Sequence, residues 1–560
     1  MQQAHDPPRH YAGSLPPSKC LIDAKRKIFF YKPIAHIKAQ RKCSQMAPAP
    51  KPPKKQPSKK DKKPGGESPD DKSTGKAIAT KKGDDFSDWF TELVNKAELA
   101  DIRYGVKGFV CYMPWAVISI KKMYAKYEAV LEKNGHLPLI MPTVIPQSFF
   151  EKEADHVKGF APEVFWVTEA GAEGEKLEER LALRPTSETA LYSMYHFWIR
   201  SFRDLPFKRY QSCQVFRYEG KATRPFFRAR EFHWIEAHDV FATLEDAEAQ
   251  VQQDMETTYA MVRDEFCIPI IFFQRPEWDK FAGAIHTYAA DALLESGKVL
   301  QLPSTHLLGQ NFSGPFDVTF TNKEGQPELG WITCYGPAIS RIYGAMVAVL
   351  GDDQGLILPF DLAPLQVVIV PIIFKNAAEV VNAKCKEVEE LLRTKTSYSV
   401  KLDDRDYVTA GEKFNEWEMK GVPIRIEVGP KDIEKEQVVV VTRNPKEKMF
   451  VPEADLLDKV TEIAQNYTQI LRDQHLQKFE TFVENAETII EAKTVIENSK
   501  IACVGICSIE MDGYDCAEQI EKGTGGQVRG KRVDDEPIKF ERCIVCGKSD
   551  PVTVYVARAY

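Results

Sequence analysis

The chain has 560 residues and is 43% apolar or aromatic, which is enough for three or four domains with a large core and excludes a wholly disordered protein. Its net charge of −6 excludes binding to nucleic acid by overall charge alone, so any such contact must come from local charge. Twelve cysteines, mostly single, argue against a disulfide scaffold, and neither an apolar run of about 18 residues nor a secretory h-region is present, so no membrane span or secretion is expected.

Residues 1–83 read as a disordered Lys/Pro-rich extension. Ala47 to Lys82 has scarcely an aliphatic side chain and cannot offset its ordering entropy. Its lysines suit loose, salt-sensitive contact with RNA, or else form a solvated tail without a partner. Residues 1–45 are poor in acids, weakly like an organellar transit segment, whereas Met46-Ala-Pro-Ala-Pro-Lys reads as a start, which favours a cytoplasmic protein.

An amphipathic stretch, Ser87 to Leu99, opens the folded part, and a helix is predicted around Ala116 to Lys133. His136 to Pro142 is an apolar strand closing in proline, either a buried edge strand or an interface. Strands follow at Phe165 to Thr168 and Leu181 to Pro185 around a charged turn, Gly171 to Glu179, then a helix from about Ser187 to Phe202. Thr186 and Glu188 stand at its start, where a hydroxyl and an acid cap the free amides.

Phe216 to His238 reads as a hairpin. Phe232, Trp234, Glu236 and His238 alternate onto one face, an aromatic and ionisable set foreign to a core. With Arg217, Glu219, Arg224 and Arg228 this suits a nucleoside triphosphate: guanidinium forks for phosphate, a ring for the base, a carboxylate for an amino group. The alternative is an ordinary hairpin with cross-strand salt bridges. A helix is predicted over Ala242 to Phe266, and polar residues in the strand-like stretch Gln301 to Phe312 suggest a lined cavity. Arg341 falls on an otherwise apolar helix after Gly336-Pro337, and such an arginine needs an anion.

Asp361 to about Glu453 alternates strand and helix, a small α/β domain, and Leu456 to about Phe482 is a long helix. Cys543-x-x-Cys546-Gly547 is a zinc half-site. Cys507 and Cys516 are less regularly spaced candidates for its partner half, with Cys503 as a substitute.

These motifs together resemble prolyl-tRNA synthetase of the archaeal/eukaryotic type, over about Asp84 to Tyr560. The hairpin is similar to motif 2 of class II aminoacyl-tRNA synthetases, Cys334-Tyr-Gly336 to Arg341 to motif 3, and the segment ending at Pro142 to motif 1. The implied fold is multidomain α/β: a class II catalytic domain on an antiparallel sheet (84–360), an α/β anticodon-binding domain (361–455) and a C-terminal α/β zinc-binding domain (456–560). The implied activity is proline–tRNA ligation through prolyl-adenylate, with ATP and Mg²⁺ as cofactors, structural Zn²⁺, L-proline and tRNA(Pro) as partners, and a homodimer.

The resemblance assigns proline to Thr186, Glu188, Arg217, Trp234, Glu236, His238 and His306. It assigns ATP to Arg217, Glu219, Arg228, Phe232, Gln301, Ser304 and Arg341, of which Arg217 and Arg341 are catalytic. The anticodon falls to Lys413, Phe414, Glu416, Glu418 and Lys420, and zinc to Cys507, Cys516, Cys543 and Cys546. Two rival readings are a related class II synthetase for another amino acid and an inactive synthetase-like RNA-binding protein.

Overall fold

The computed structural model describes residues 77–152, 163–374, 376–533 and 539–560. Residues 1–76 of the expected extension lie outside these. Its last residues are packed: Ala79 N donates to Glu92 Oε2 at 2.7 Å, and Lys82 Nζ donates to the carbonyls of Val349 and Gly351 at 3.1 and 2.8 Å. Ordered contacts therefore begin upstream of residue 84. Among the described residues no helix is long and apolar enough to cross a membrane.

The central sheet is antiparallel through most of its width. Its first seven strands are β1 (Leu137–Pro138), β2 (Phe207–Phe216), β3 (Glu231–Phe241), β4 (Ile271–Gln274), β5 (His286–Leu293), β6 (Lys298–Gly309) and β7 (Trp331–Gly336). Across the sheet they run β4-β5-β6-β7-β3-β2-β1. The predicted hairpin is β2 and β3, in register from Phe207 opposite Val240 to Phe216 opposite Glu231. Ile235 and Ala237 sit in the main core while Glu236 and His238 face the other way, into a buried polar layer, as the alternation predicts.

Helix Ile339–Leu350 is apolar nearly all round and correspondingly buried. Gly336, just before it, has the Trp234 ring so close that an added Cβ would lie 2.4 Å from it. The helix predicted over Ala242 to Phe266 is α-helical over Leu244–Thr258 and continues as π-turns over Tyr259–Glu265. The charged turn is tighter than expected, because Glu175–Leu183 is already a strand paired with Phe165–Ala170.

The small α/β sheet contains β8 (Val367–Pro371), β9 (Val400–Leu402), β10 (Ile424–Val428), β11 (Gln437–Thr442) and β12 (Lys448–Pro452), in the order β9-β8-β10-β11-β12. After helix Leu456–Glu480 come β13 (Val483–Asn485), β14 (Ile501–Ile506), β15 (Gln527–Arg532) and β16 (Val552–Ala559). These four extend the central sheet. Lys531 and Arg532 of β15 pair with Gln274 and Phe273 of β4, and Arg558 and Ala559 of β16 pair in parallel with Lys298 and Val299 of β6. The chain terminus is thereby delivered beside the strands of the hairpin region.

Candidate active site

A cavity of about 190 Å³ opens where β2, β3 and β5 to β7 meet the starts of helices Glu188–Trp198 and Ile339–Leu350. Eight expected residues line it: Thr186, Glu188, Arg217, Trp234, Gln301, Ser304, His306 and Arg341. Arg275, Phe281, Thr287 and Cys334 line it too. Sequence reading assigned none of these four to the site; Cys334 stands in the motif 3 segment, and the other three carry no motif of their own.

One end is acidic and closely bonded. Thr186 Oγ1 donates to Glu188 Oε2 at 2.5 Å, and Cys334 Sγ donates to Glu188 Oε1 at 3.3 Å. The hydroxyl of Thr186 is thus turned to the carboxylate, and helix Glu188–Trp198 has no side-chain cap at Ser187, so the capping role expected of Thr186 is not the one observed. Burial first, and then Glu188, push the Cys334 thiol well above its ordinary range, which keeps it a donor.

Glu236 and His238 lie below this floor and do not line the cavity. Glu236 accepts from Ser187 Oγ at 2.5 Å and Gln211 Nε2 at 2.9 Å, and His238 Nε2 stands 3.3 Å from it. Burial raises the Glu236 carboxyl, but His238 and Ser187 outweigh it and hold it at about 2. His238 Nδ1 meets Tyr192 Oη at 2.9 Å. His306 is bracketed by Thr287 Oγ1 at 2.9 Å and Ser304 Oγ at 3.1 Å, and burial depresses its pKa to about 4, so it is neutral.

The other end is cationic. Arg217 Nε donates to Pro185 O at 3.1 Å, and its guanidinium carbon lies 5.4 and 5.7 Å from the Phe232 and Trp234 ring centroids. Arg341 Nε donates to Phe227 O at 3.0 Å. Burial, then the charges of Arg217 and Arg228, push Arg341 down to about 10. The site therefore holds more buried positive charge than its own carboxylates balance.

Phe232 is buried with Cys213, Val215 and Ala338 beside the cavity. Arg228 Nε stands 3.6 Å from Glu219 Oε2, and its Nη2 donates to the terminal Tyr560 O at 2.7 Å. Arg224, expected to converge with them, is carried away: it donates to Ser87 O and, at 2.7 Å, to Tyr560 Oη.

Residues 165–350 match the family model described as tRNA synthetase class II core domain (G, H, P, S and T), and residues 366–463 match the anticodon binding domain. The proline–tRNA ligase of Thermofilum pendens is 46% identical over 485 residues, 86% of this chain and 99% of that protein. This chain belongs to the proline–tRNA ligase family. The ligase of Methanopyrus kandleri is 41% identical over 485 residues, covering 86% and 98% of the two chains. Among solved structures, the Giardia lamblia prolyl-tRNA synthetase in complex with prolyl-adenylate superposes with a TM-score of 0.83 at 36% identity, covering 86% of this chain and all of that one. The Cryptosporidium parvum enzyme complexed with halofuginone and AMPPNP gives 0.82 at 33% identity, covering 87% and 100%.

In this proline–tRNA ligase the class II core and the α/β anticodon-binding fold stand as expected. The five residues expected to face the anticodon all have partners within the chain. Lys413 Nζ donates to Asp403 O at 2.8 Å, Glu416 binds Arg405 at 3.2 Å, and Phe414 lies under Arg425 at 4.3 Å. Glu418 pairs with Lys446 at 2.5 Å and Lys420 with Glu98 at 2.7 Å. By contrast Phe374 and Tyr407, which follow the carboxyl ends of neighbouring parallel strands β8 and β9, are 64% and 81% exposed. The signal that finds them is topological, since ligands of parallel sheets bind beyond those ends.

The sulfurs of Cys507, Cys516, Cys543 and Cys546 all lie within 4.8 Å of one another. A tetrahedral thiolate site with bonds of about 2.3 Å needs sulfurs about 3.8 Å apart, so this set fits a zinc ion. Gly547, with φ of +72°, lets the knuckle close by donating to Cys543 O at 3.0 Å. Cys503 belongs elsewhere, packed with Phe273 and Tyr555.

Proposed function

We propose that this cavity activates L-proline with ATP and passes the prolyl group to the 3′ end of tRNA(Pro). The observation that carries this reading is charge order within one cavity. A bonded carboxylate floor stands at one end and surplus buried guanidinium at the other, and Arg217 feels the carboxylates of both Glu188 and Glu219.

Glu188 and Thr186 offer acceptors for the two N–H bonds of a secondary ammonium. Trp234, with Phe281 tilted against His306 at 4.6 Å between ring centroids, walls the pyrrolidine, while Glu236 and His238 hold the floor from beneath. The proline carboxylate attacks the α-phosphorus and pyrophosphate leaves, so no side chain is a nucleophile. Arg217 bridges the carboxylate and the α-phosphate; Arg228 and Arg341 hold the outer phosphates; Glu219, Phe232, Gln301 and Ser304 hold the nucleoside. Catalysis is positioning and neutralisation of charge. Mg²⁺ arriving with ATP would add to that neutralisation. A tRNA ribose hydroxyl then attacks the prolyl carbonyl and AMP leaves.

Three further parts belong to the same reading. Phe374 and Tyr407 stack anticodon bases while Lys413, Glu416 and their neighbours brace the surface. The four cysteines hold one structural zinc. The chain forms a homodimer through the segment after helix Pro114–Lys133, where Leu137 and Ile140 are 56% and 92% exposed. A cytoplasmic location accords with ten free thiols among the described residues. Amino-acid-dependent ATP–pyrophosphate exchange across the twenty amino acids tests the reading. Exchange with proline is expected; exchange with a different amino acid, or with none, overturns it.

A further inference from the structure

A heavily buried charged cluster at the edge of the cavity joins the C-terminal strands to the catalytic ones. Asp291 of β5 is clamped by two arginines. Arg275, just past β4, donates from Nη2 to Oδ1 at 2.7 Å and from Nη1 to Oδ2 at 3.3 Å. Arg529 of β15 donates from Nε to Oδ2 at 2.7 Å and from Nη2 to Oδ1 at 3.2 Å. Arg275 Nη1 also donates to Arg529 O at 2.8 Å. The side chains of Arg275, Asp291 and Arg529 are 1%, 1% and 7% exposed.

Two buried guanidinium groups on one carboxylate leave one positive charge over, and the triad has a route to the cavity. Arg275 lines it and donates from Nη2 to Gln301 Oε1 at 3.2 Å. Gln301 is also the cross-strand partner of Asp291, beside a bulge in β5. A core pair needs one arginine; the second adds a cation and fixes the fork of the first.

We infer that Arg529 is a positioning residue for the nucleotide side of the cavity, acting through Asp291 and Arg275 on the Gln301 amide. This rests on the reading of Gln301 as nucleotide-facing. With the Arg529 side chain gone, Asp291 pairs with Arg275 alone, one of the two guanidinium charges disappears, and the carboxylate that fixes the Arg275 fork is itself held from one side only.

The test is steady-state pyrophosphate exchange on full-length R529Q, R529K and Q301A proteins, with thermal melts alongside. R529Q is expected to raise the KM for ATP about 3- to 10-fold, the worth of one orienting hydrogen bond, and to leave the KM for proline unchanged. R529K keeps the charge but not the fork and is expected to show a smaller rise. A merely structural role would lower kcat with the active fraction and move neither KM. If R529Q does not fold, R529K decides alone. A parental KM for ATP in the folded Arg529 variants overturns the inference while Q301A still raises it. If Q301A leaves the KM for ATP unchanged, the nucleotide reading of Gln301 falls and the inference falls with it.

Discussion

Replacing Arg217 with alanine removes the one side chain that the proposed mechanism places on both reactants. Its guanidinium carbon stands 5.4 and 5.7 Å from the Phe232 and Trp234 ring centroids, and its Nε is anchored to Pro185 O at 3.1 Å. A charged hydrogen bond contributes about 1.5–3 kcal/mol. One preorganised donor aimed at developing charge is worth about 10²–10³ in rate, or ~2.7–4 kcal/mol. Arg217→Ala should therefore lower proline-dependent exchange at least ~10²-fold. Arg217→Lys keeps the charge but loses the planar fork and should fall between. Exchange is measured at saturating ATP and proline, with a melt for each variant. Near-parental exchange in a folded Arg217→Ala protein would remove Arg217 from the chemistry.

Ile140→Asp should convert a dimer to monomers in sedimentation at micromolar concentration, and a dimer that survives unchanged would place the interface elsewhere. Cys543→Ser with Cys546→Ser should lose one zinc per chain by elemental analysis and lower the Tm, since a closed thiolate site contributes directly to folding; unchanged metal content refutes the site. His136, buried with Nδ1 at 3.0 Å from Leu131 O and Nε2 at 2.9 Å from Asp239 Oδ2, faces two acceptors and is held as imidazolium: burial lowers its pKa, but the Asp239 carboxylate outweighs that and raises it. A raised folded pKa gives stability that is complete below the unfolded value of about 6.5 and is lost as pH rises through the folded value, so the Tm gap between parent and His136→Gln should be widest near pH 6 and narrow toward pH 9. Deleting residues 1–76 should leave the melt unchanged, whereas Lys82→Ala should lower it, because the buried Lys82 ammonium serves two carbonyls and lies 3.2 Å from Glu295; equal melts for all three proteins would show that Lys82 contributes nothing.

The hairpin was legible because its period-two alternation is undisturbed by any bulge from Phe207 to Phe241. The α/β alternation after residue 361 was legible for a similar reason, since three parallel strands and their helices are each a compact run with a clear period. Tertiary setting adds what local pattern does not show. Lys413, Glu416 and Lys420 read as charged positions of one helix segment, and the structure pairs them with Asp403, Arg405 and Glu98. Three-residue spacing cannot show that a neighbouring loop supplies the opposite charges.

The cavity itself was legible only where a motif names it. Thr186, Arg217, His306 and Arg341 stand in recognisable spacings, but Thr287 and Arg275 acquire a role only when β5 and β4 are set beside their neighbours. The C-terminal residues are the extreme case. Nothing in the last stretch suggests that Arg529 meets Asp291 or that the terminal oxygen of Tyr560 meets Arg228 at 2.7 Å, 332 residues away. Both contacts follow from strand pairs, β15 on β4 and β16 on β6, whose partners are far apart in sequence. Such pairing is set by the packing of the whole sheet, since the loop-closure cost grows only slowly with length and places no local mark on the residues it brings together. The C-terminal strands are for this reason part of the central sheet.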